Sequence, residues 1–269
     1  MTELSGTIVI VFILYVLAML GIGVWTSRAT HSPLDFFLAD RSLKAWVTAI
    51  SSTASSESAW AVLGTVGLAY KEGLSAIWFM PGCLLGYLIN WLFLAEKLRK
   101  HSAENHSITL PDYFENHFND KTHTLRIISV VIIFSCMMAY VAAQFTAIGK
   151  TFDAIFGIPH LLSISVGGVI VLIYTMMGGV RAVAWTDFAQ GIIMVSGLVI
   201  LSLVALTSLG GFSGMWLEVG KASPDTLTWM GGKSISVFLG SMVGLLGIGL
   251  GYPGQPHVIT RYMAAKNTE

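Results

Sequence analysis

The chain has 269 residues, 54% of them hydrophobic and only 11% charged, with a mean hydropathy of +0.72. A soluble domain carries about a quarter charged residues, so this chain cannot present a hydrated surface, and a lipid bilayer is its natural solvent. Its 15 basic and 15 acidic residues cancel, which excludes an electrostatic nucleic-acid binder. Two cysteines in apolar runs, Cys83 and Cys136, exclude a disulfide framework and a zinc site.

The first apolar run, 8–25, lacks a basic leader and is longer than the core of a secretory signal, so it is expected to stay as a membrane helix. Further apolar stretches follow, and with the first they give spans at 6–26, 45–69, 74–95, 125–156, 161–178, 185–209 and 234–252. Lipid offers no hydrogen bonds to the backbone, so each span is predicted to be helical, about seven transmembrane helices in an all-α protein. A longer connection at 96–124 carries Leu110-Pro111-Asp112-Tyr113-Phe114; another at 209–233 carries the turn signals Gly210-Gly211 and Pro224-Asp225. Trp216 and Trp229 in the second connection suit the membrane interface. No linker or low-complexity tract divides the chain, so 1–269 is expected to be a single transmembrane domain. It stops just past a span, as an incomplete bundle would.

Alternate loops hold Arg28, Arg41 and Lys44, then Lys97, Arg99, Lys100, Lys121 and Arg126, then Arg181, then Arg261 and Lys266. The opposite loops hold only Lys71, Lys150, Lys221 and Lys233. The positive-inside bias puts the first set in the cytoplasm and the N-terminus outside.

Two carboxylates fall inside spans, Glu57 and Asp187. A charge at the bilayer centre costs at least about 2.5–3.5 kcal/mol unless it meets protein, water or an ion. Neither has a basic residue in its own turn, although Arg181 lies six residues before Asp187. Asp187 could also be a helix N-terminal carboxylate near the cytoplasmic boundary, and Glu57 a structural ion pair or a protonated acid. Around Glu57, residues 51–60 contain six hydroxyl side chains. Such residues line ordinary helix contacts in membranes, yet they also compete with helical hydrogen bonds. A break there frees carbonyl oxygens, which suit a small cation. The last span ends in Gly247-Ile248-Gly249-Leu250-Gly251-Tyr252-Pro253-Gly254-Gln255-Pro256-His257, where four glycines and two prolines cannot hold a straight helix. It is either a helix end or a second interruption. Two interrupted spans five spans apart match the first helices of the two halves of an inverted-repeat transporter. Gly82-x-x-x-Gly86 is a weak match to a close-packing motif.

Several of these residues in combination resemble the sodium/solute symporter family, its proline-transporting members most closely. They are Asp35-Phe36-Phe37-Leu38 with Arg41-Ser42-Leu43, Gly86-Tyr87-Leu88-Ile89-Asn90-Trp91, the Leu110–Phe114 stretch and Leu125-Arg126-Ile127-Ile128-Ser129. Tyr174-Thr175 with Gly178-Gly179, Ala184-Trp185-Thr186-Asp187 and the glycine-rich Gly249–His257 stretch complete the likeness. The resemblance implies a leucine-transporter-like inverted repeat, here the first repeat plus the start of the second. It implies a bacterial cytoplasmic-membrane protein that couples uptake of a small organic solute to co-transported sodium by alternating access. On that scheme sodium binds the backbone carbonyls of Ala54 and Glu57, with Asp187 near a second sodium position, and solute lies against Ser58, Ala59, Tyr252 and Gln255. Arg41 and Ser56 fall at positions tied to coupling. The proline-transporting pattern has aspartate at Ser56, methionine at Glu57, glycine at Ala59 and tryptophan at Ile248, so the carboxylate is displaced by one position. Alternatives are the membrane sensor of a transporter-like histidine kinase, or a sugar or carboxylate symporter of the same family. Glu57 and Asp187 as an enzymatic acid pair are disfavoured by their different depths, and no soluble-enzyme motif occurs.

Overall fold

The computed structural model describes residues 2–58, 60–222 and 224–267, and the described elements are helical. In chain order they are α1 (Thr2–Ser27), α2 (Pro33–Leu38), α3 (Ala45–Ser56), α4 (Thr65–Glu72), α5 (Phe79–Ile89) and α6 (Glu96–Glu104). Then come α7 (Leu110–His117), α8 (Thr124–Phe156), α9 (His160–Ser208), α10 (Gly211–Ala222), α11 (Ile235–Gly247) and α12 (Pro256–Met263). The chain forms two compact units, one of Met1–Ser55, Glu96–Ala189 and Pro256–Glu269, the other of Ser56–Ala95 and Gln190–Gln255.

Among the described residues five helical stretches are long and apolar enough to cross a bilayer: Gly6–Ser27, Thr65–Glu104, Thr124–Phe156, His160–Ser208 and Ile235–Gly254. Two departures separate these five from the seven sequence spans. The stretch 45–69 is split after Ser56. The spans at 161–178 and 185–209 run together as α9, whose 49 residues would measure about 74 Å as one straight helix, over twice the thickness of about 30 Å that one crossing needs. The join is Gly179, at φ 56 and ψ −147, a conformation open to glycine alone. A side chain there would also strike the Phe36 carbonyl. A single glycine thus does the work expected of a loop. The connection at 96–124 holds α6 and α7, and Gly210 and Gly211, at φ 79 and 81, form the turn that precedes α10. The α8 span has none of its most apolar window buried; Val131, Ile132, Phe134 and Met138 all face outward, as lipid contact requires.

In the first unit, α7 begins with a reciprocal cap: Thr109 Oγ1 accepts from the Asp112 amide, and the Asp112 carboxylate accepts from the Thr109 amide. Asp112 also pairs with Arg126 of α8, and Arg126 Nε meets Glu115 at 2.9 Å. Burial pushes the Asp112 carboxyl up, but the Arg126 and Thr109 hydrogen bonds outweigh it and hold the group below the usual carboxylate range. The Leu110–Phe114 motif is therefore a capped helix start with a charge latch to the next span.

Residues Ala39, Asp40 and Arg41 are all left-handed, at φ 51, 52 and 49. This conformation costs about 1–2 kcal/mol per residue, so the surroundings must hold it. Ser42 Oγ and Arg181 Nη2 both donate to the Ala39 carbonyl, at 2.6 and 3.1 Å. The Arg41 guanidinium donates four bonds of 2.8–2.9 Å, to Ser102 Oγ and the carbonyls of Ser102, Ser107 and Met263. A short parallel pairing runs alongside, with the Leu43 amide on the Ala264 carbonyl at 3.2 Å and the Lys266 amide on the Leu43 carbonyl at 2.7 Å. The strained turn ties the start of α3 to the ends of α6 and α12.

In the second unit, α5 packs backbone to backbone on α11 and the turns after it. A Cβ on Gly86 would lie 2.6 Å from the Gly249 carbonyl oxygen, and Gly82 meets the Leu245 carbonyl in the same way. The Gly82/Gly86 motif is therefore a genuine contact seam. The change Gly86→Val should lower the stability of the detergent-solubilised protein by about 1–3 kcal/mol through overpacking, read as a drop in melting temperature. An unchanged melting curve would show that the seam can open at no cost.

Candidate functional site

The first break follows from its hydroxyl residues. In α3, Ser52 Oγ turns back on the Ala49 carbonyl at 3.0 Å, the kind of local bond that competes with helix continuation. Helical winding stops at Ser56; Glu57 and Ser58 are non-helical, and a wide turn resumes over Trp60–Gly64. Ser58 starts the second segment, its Oγ accepting from the Trp60 amide at 3.1 Å and its carbonyl from the Ala61 amide at 2.9 Å. The helical ladder of α3 consequently ends at this turn, where the terminal carbonyls of a helix look for partners outside it.

The second break lies between α11 and α12. Tight turns run over Ile248–Gly254 with Pro253 inside them, and Gln255 is extended at φ −90 and ψ 102. Proline has no N–H to donate, so the winding cannot pass through it intact. The sequence expectation of two interrupted spans is met at both places.

In the first unit, α3, α9 and α12 meet at Asp187. Its Oδ2 accepts from Ser51 Oγ at 2.7 Å, Ser55 Oγ at 2.8 Å and Arg261 Nη2 at 2.6 Å. Arg261 Nε also donates to Ser51 Oγ at 2.7 Å, and its Nη1 reaches the His257 carbonyl. The His257 ring stacks on Tyr140 at 5.0 Å and donates a hydrogen bond to the Ser55 carbonyl, satisfying one of the carbonyls left by the break. Arg261 and Asp187 side chains are only 10% and 14% exposed, so each charge depends on the other.

In the second unit, a cavity of about 260 Å³ opens beside the first break, lined by Ser56, Glu57, Ser58, Trp60, Ala61, Thr65, Phe79, Met80, Cys83, Leu84 and Tyr252. A chain of polar groups supports its wall. Ser56 Oγ is bonded to the Tyr87 hydroxyl, and Tyr87 and Cys83 both bond Tyr252. The Tyr87 and Tyr252 rings lie 4.7 Å apart, and Tyr252 is 8% exposed.

The cavity brings together Ser56, Glu57, Ser58 and Tyr252 of the expected site residues. Gln255 is absent from its wall, with a buried side-chain oxygen that has no partner among the described atoms. Ala59 lies outside the described residues. Ala54 belongs to the last turn of α3 in the first unit, as do Asp187 and Arg41 to that unit, and Arg41 is spent on the loop carbonyls above. Three participants escaped sequence reasoning. Arg261, read only as a cytoplasmic marker, is the partner of Asp187; Arg181 instead serves Ala39 and Ser42. Tyr87 and Cys83 contact Tyr252. Arg261 lies one helical turn past His257, and the pairing of an unmatched acid with that base was the available signal.

Residues 36–269 match the family described as the Sodium:solute symporter family. The chain is 35% identical over 263 residues to the sodium/proline symporter of Escherichia coli (strain K12), covering 97% of this chain and 52% of that protein. It is 36% identical over 265 residues to an osmoregulated proline transporter of Bacillus subtilis (strain 168), covering 98% and 53%, and 37% identical over 260 residues to a sodium/proline symporter of Staphylococcus aureus, covering 96% and 50%. The chain spans about half the length of these curated relatives. Among solved structures it is similar to a Na+-coupled sialic acid symporter in a substrate-bound, outward-open state, with a TM-score of 0.76 at 21% identity, covering 94% of this chain and 52% of that one.

Removing one member of the Asp187–Arg261 pair should be worse than removing both. We expect Asp187→Asn to destabilise the protein by about 3–5 kcal/mol and Asp187→Asn with Arg261→Gln to recover part of that loss in thermal melting. Strictly additive effects would show that the two charges stand independently.

Proposed function

Because the chain belongs to the sodium:solute symporter family, a family of transporters rather than enzymes, and has the all-helical, leucine-transporter-like membrane fold of such proteins, we propose that it acts in sodium-coupled uptake of a small organic solute, proline or another amino acid. Residues 1–269 belong, on this reading, to one transmembrane domain of a multi-pass protein of the bacterial cytoplasmic membrane, with the N-terminus outside. The observation that carries the proposal is the pair of interrupted helices, at Glu57–Ser58 and at Ile248–Gln255.

Sodium is taken by the backbone carbonyls of Ala54 and Glu57. Carbonyl oxygen is a hard ligand, and a broken helix supplies it without a buried charge. Asp187 is the candidate for a second sodium; there the cation would exchange with the Arg261 guanidinium for Oδ2. Solute binds against Ser58, Ala59 and Tyr252, with Gln255 beside them and Ser56 holding the wall through Tyr87. Arg41 couples the start of α3 to the end of α12 through its fork of bonds, so that the inner halves of both interrupted spans move together during alternating access. The proline transporters among the relatives support an amino-acid solute.

The full-length protein that carries this chain should, in proteoliposomes, accumulate labelled L-proline or another amino acid under an inward sodium gradient and stop when an ionophore collapses it. Accumulation driven equally by a proton gradient in sodium-free buffer would reject sodium as the coupling ion.

A further inference from the structure

The cavity beside the first break has one acidic side chain on its wall. Of its described lining residues Glu57 is the one carboxylate, and none is basic. Glu57 has no Lys, Arg or His within 4 Å among the described residues. The rest of the wall is aromatic or apolar, with Trp60, Phe79 and Tyr252 as its rings and Met80 and Leu84 between them. Its volume of about 260 Å³ leaves room for a small solute.

A carboxylate at membrane depth without a counter-charge is costly, and its cost falls most when a cation arrives. Aromatic faces add attraction for the same charge. A net anion with no cationic nitrogen would meet repulsion from Glu57 with nothing to offset it, and a sugar would leave the carboxylate unpaired. We propose that this cavity selects solutes carrying a positively charged nitrogen, which docks on the Glu57 side chain among the rings of Trp60, Phe79 and Tyr252. This rests on the symport reading and adds a second role for Glu57, whose backbone carbonyl serves sodium while its side chain serves solute.

The test measures binding to the purified protein by calorimetry, with L-proline and glycine betaine against N-acetyl-L-proline and D-glucose, alongside sodium-driven uptake of the same probes. Detectable binding is expected from at least one of the first two and from neither of the others. Glu57→Gln should weaken it tenfold or more, with Glu57→Asp recovering part of the loss and sodium affinity falling by much less than solute affinity in both. Equal binding of N-acetyl-L-proline or glucose, no binding by either cationic probe, or wild-type affinity in Glu57→Gln would overturn the proposal. A fall in sodium affinity matching the fall in solute affinity would also overturn it, by making the side chain an ion ligand. Those outcomes leave sodium-driven uptake standing if it is observed. Cation-selective binding without sodium-driven uptake of any probe would instead remove the symport reading and keep the inference.

Discussion

In a bilayer the backbone must satisfy its own hydrogen bonds, because lipid offers none. Among the described residues this chain meets that demand largely with long helices and suspends it after Ser56 and across Ile248–Gln255. Each suspension leaves carbonyl oxygens that need a donor or a cation. What surrounds them in the sequence, hydroxyls and a carboxylate at one break, glycine and proline at the other, both causes the interruption and supplies groups that can make use of it.

The side chains around the breaks act to stabilise an otherwise expensive arrangement. His257 donates to the Ser55 carbonyl, and Arg261 reaches back to the His257 carbonyl while neutralising Asp187. Arg41 closes the far end of the same unit on four acceptors, three of them carbonyls. Breaking an ion pair of this kind costs more than never having built it, so its members are suited to exchange partners rather than stand alone.

Much of this was legible in the sequence. Apolar runs gave the helices, and the density of Ser, Gly and Pro placed both interruptions, because these residues act locally on the backbone. Local signals failed where distant residues decide. Asp187 and Arg261 are 74 positions apart, and no periodicity links them. The α9 kink was hidden for the opposite reason: the apolar runs left a gap between 178 and 185, but the turn proved to need a single residue, Gly179, and no loop. Cys83 stood out in the sequence only as a thiol in an apolar run, yet its sulfur holds Tyr252, a contact set by the close approach that Gly82 and Gly86 permit. Glu57 had no visible partner in the sequence and has none among the described residues.

The most direct measurement is hydrogen–deuterium exchange of the protein in sodium compared with potassium. If peptide oxygens at the first interruption hold sodium, amides over 55–61 should exchange more slowly in sodium while the middle of α8 stays unchanged. Identical exchange over 55–61 in the two salts would mean that the interruption binds no ion.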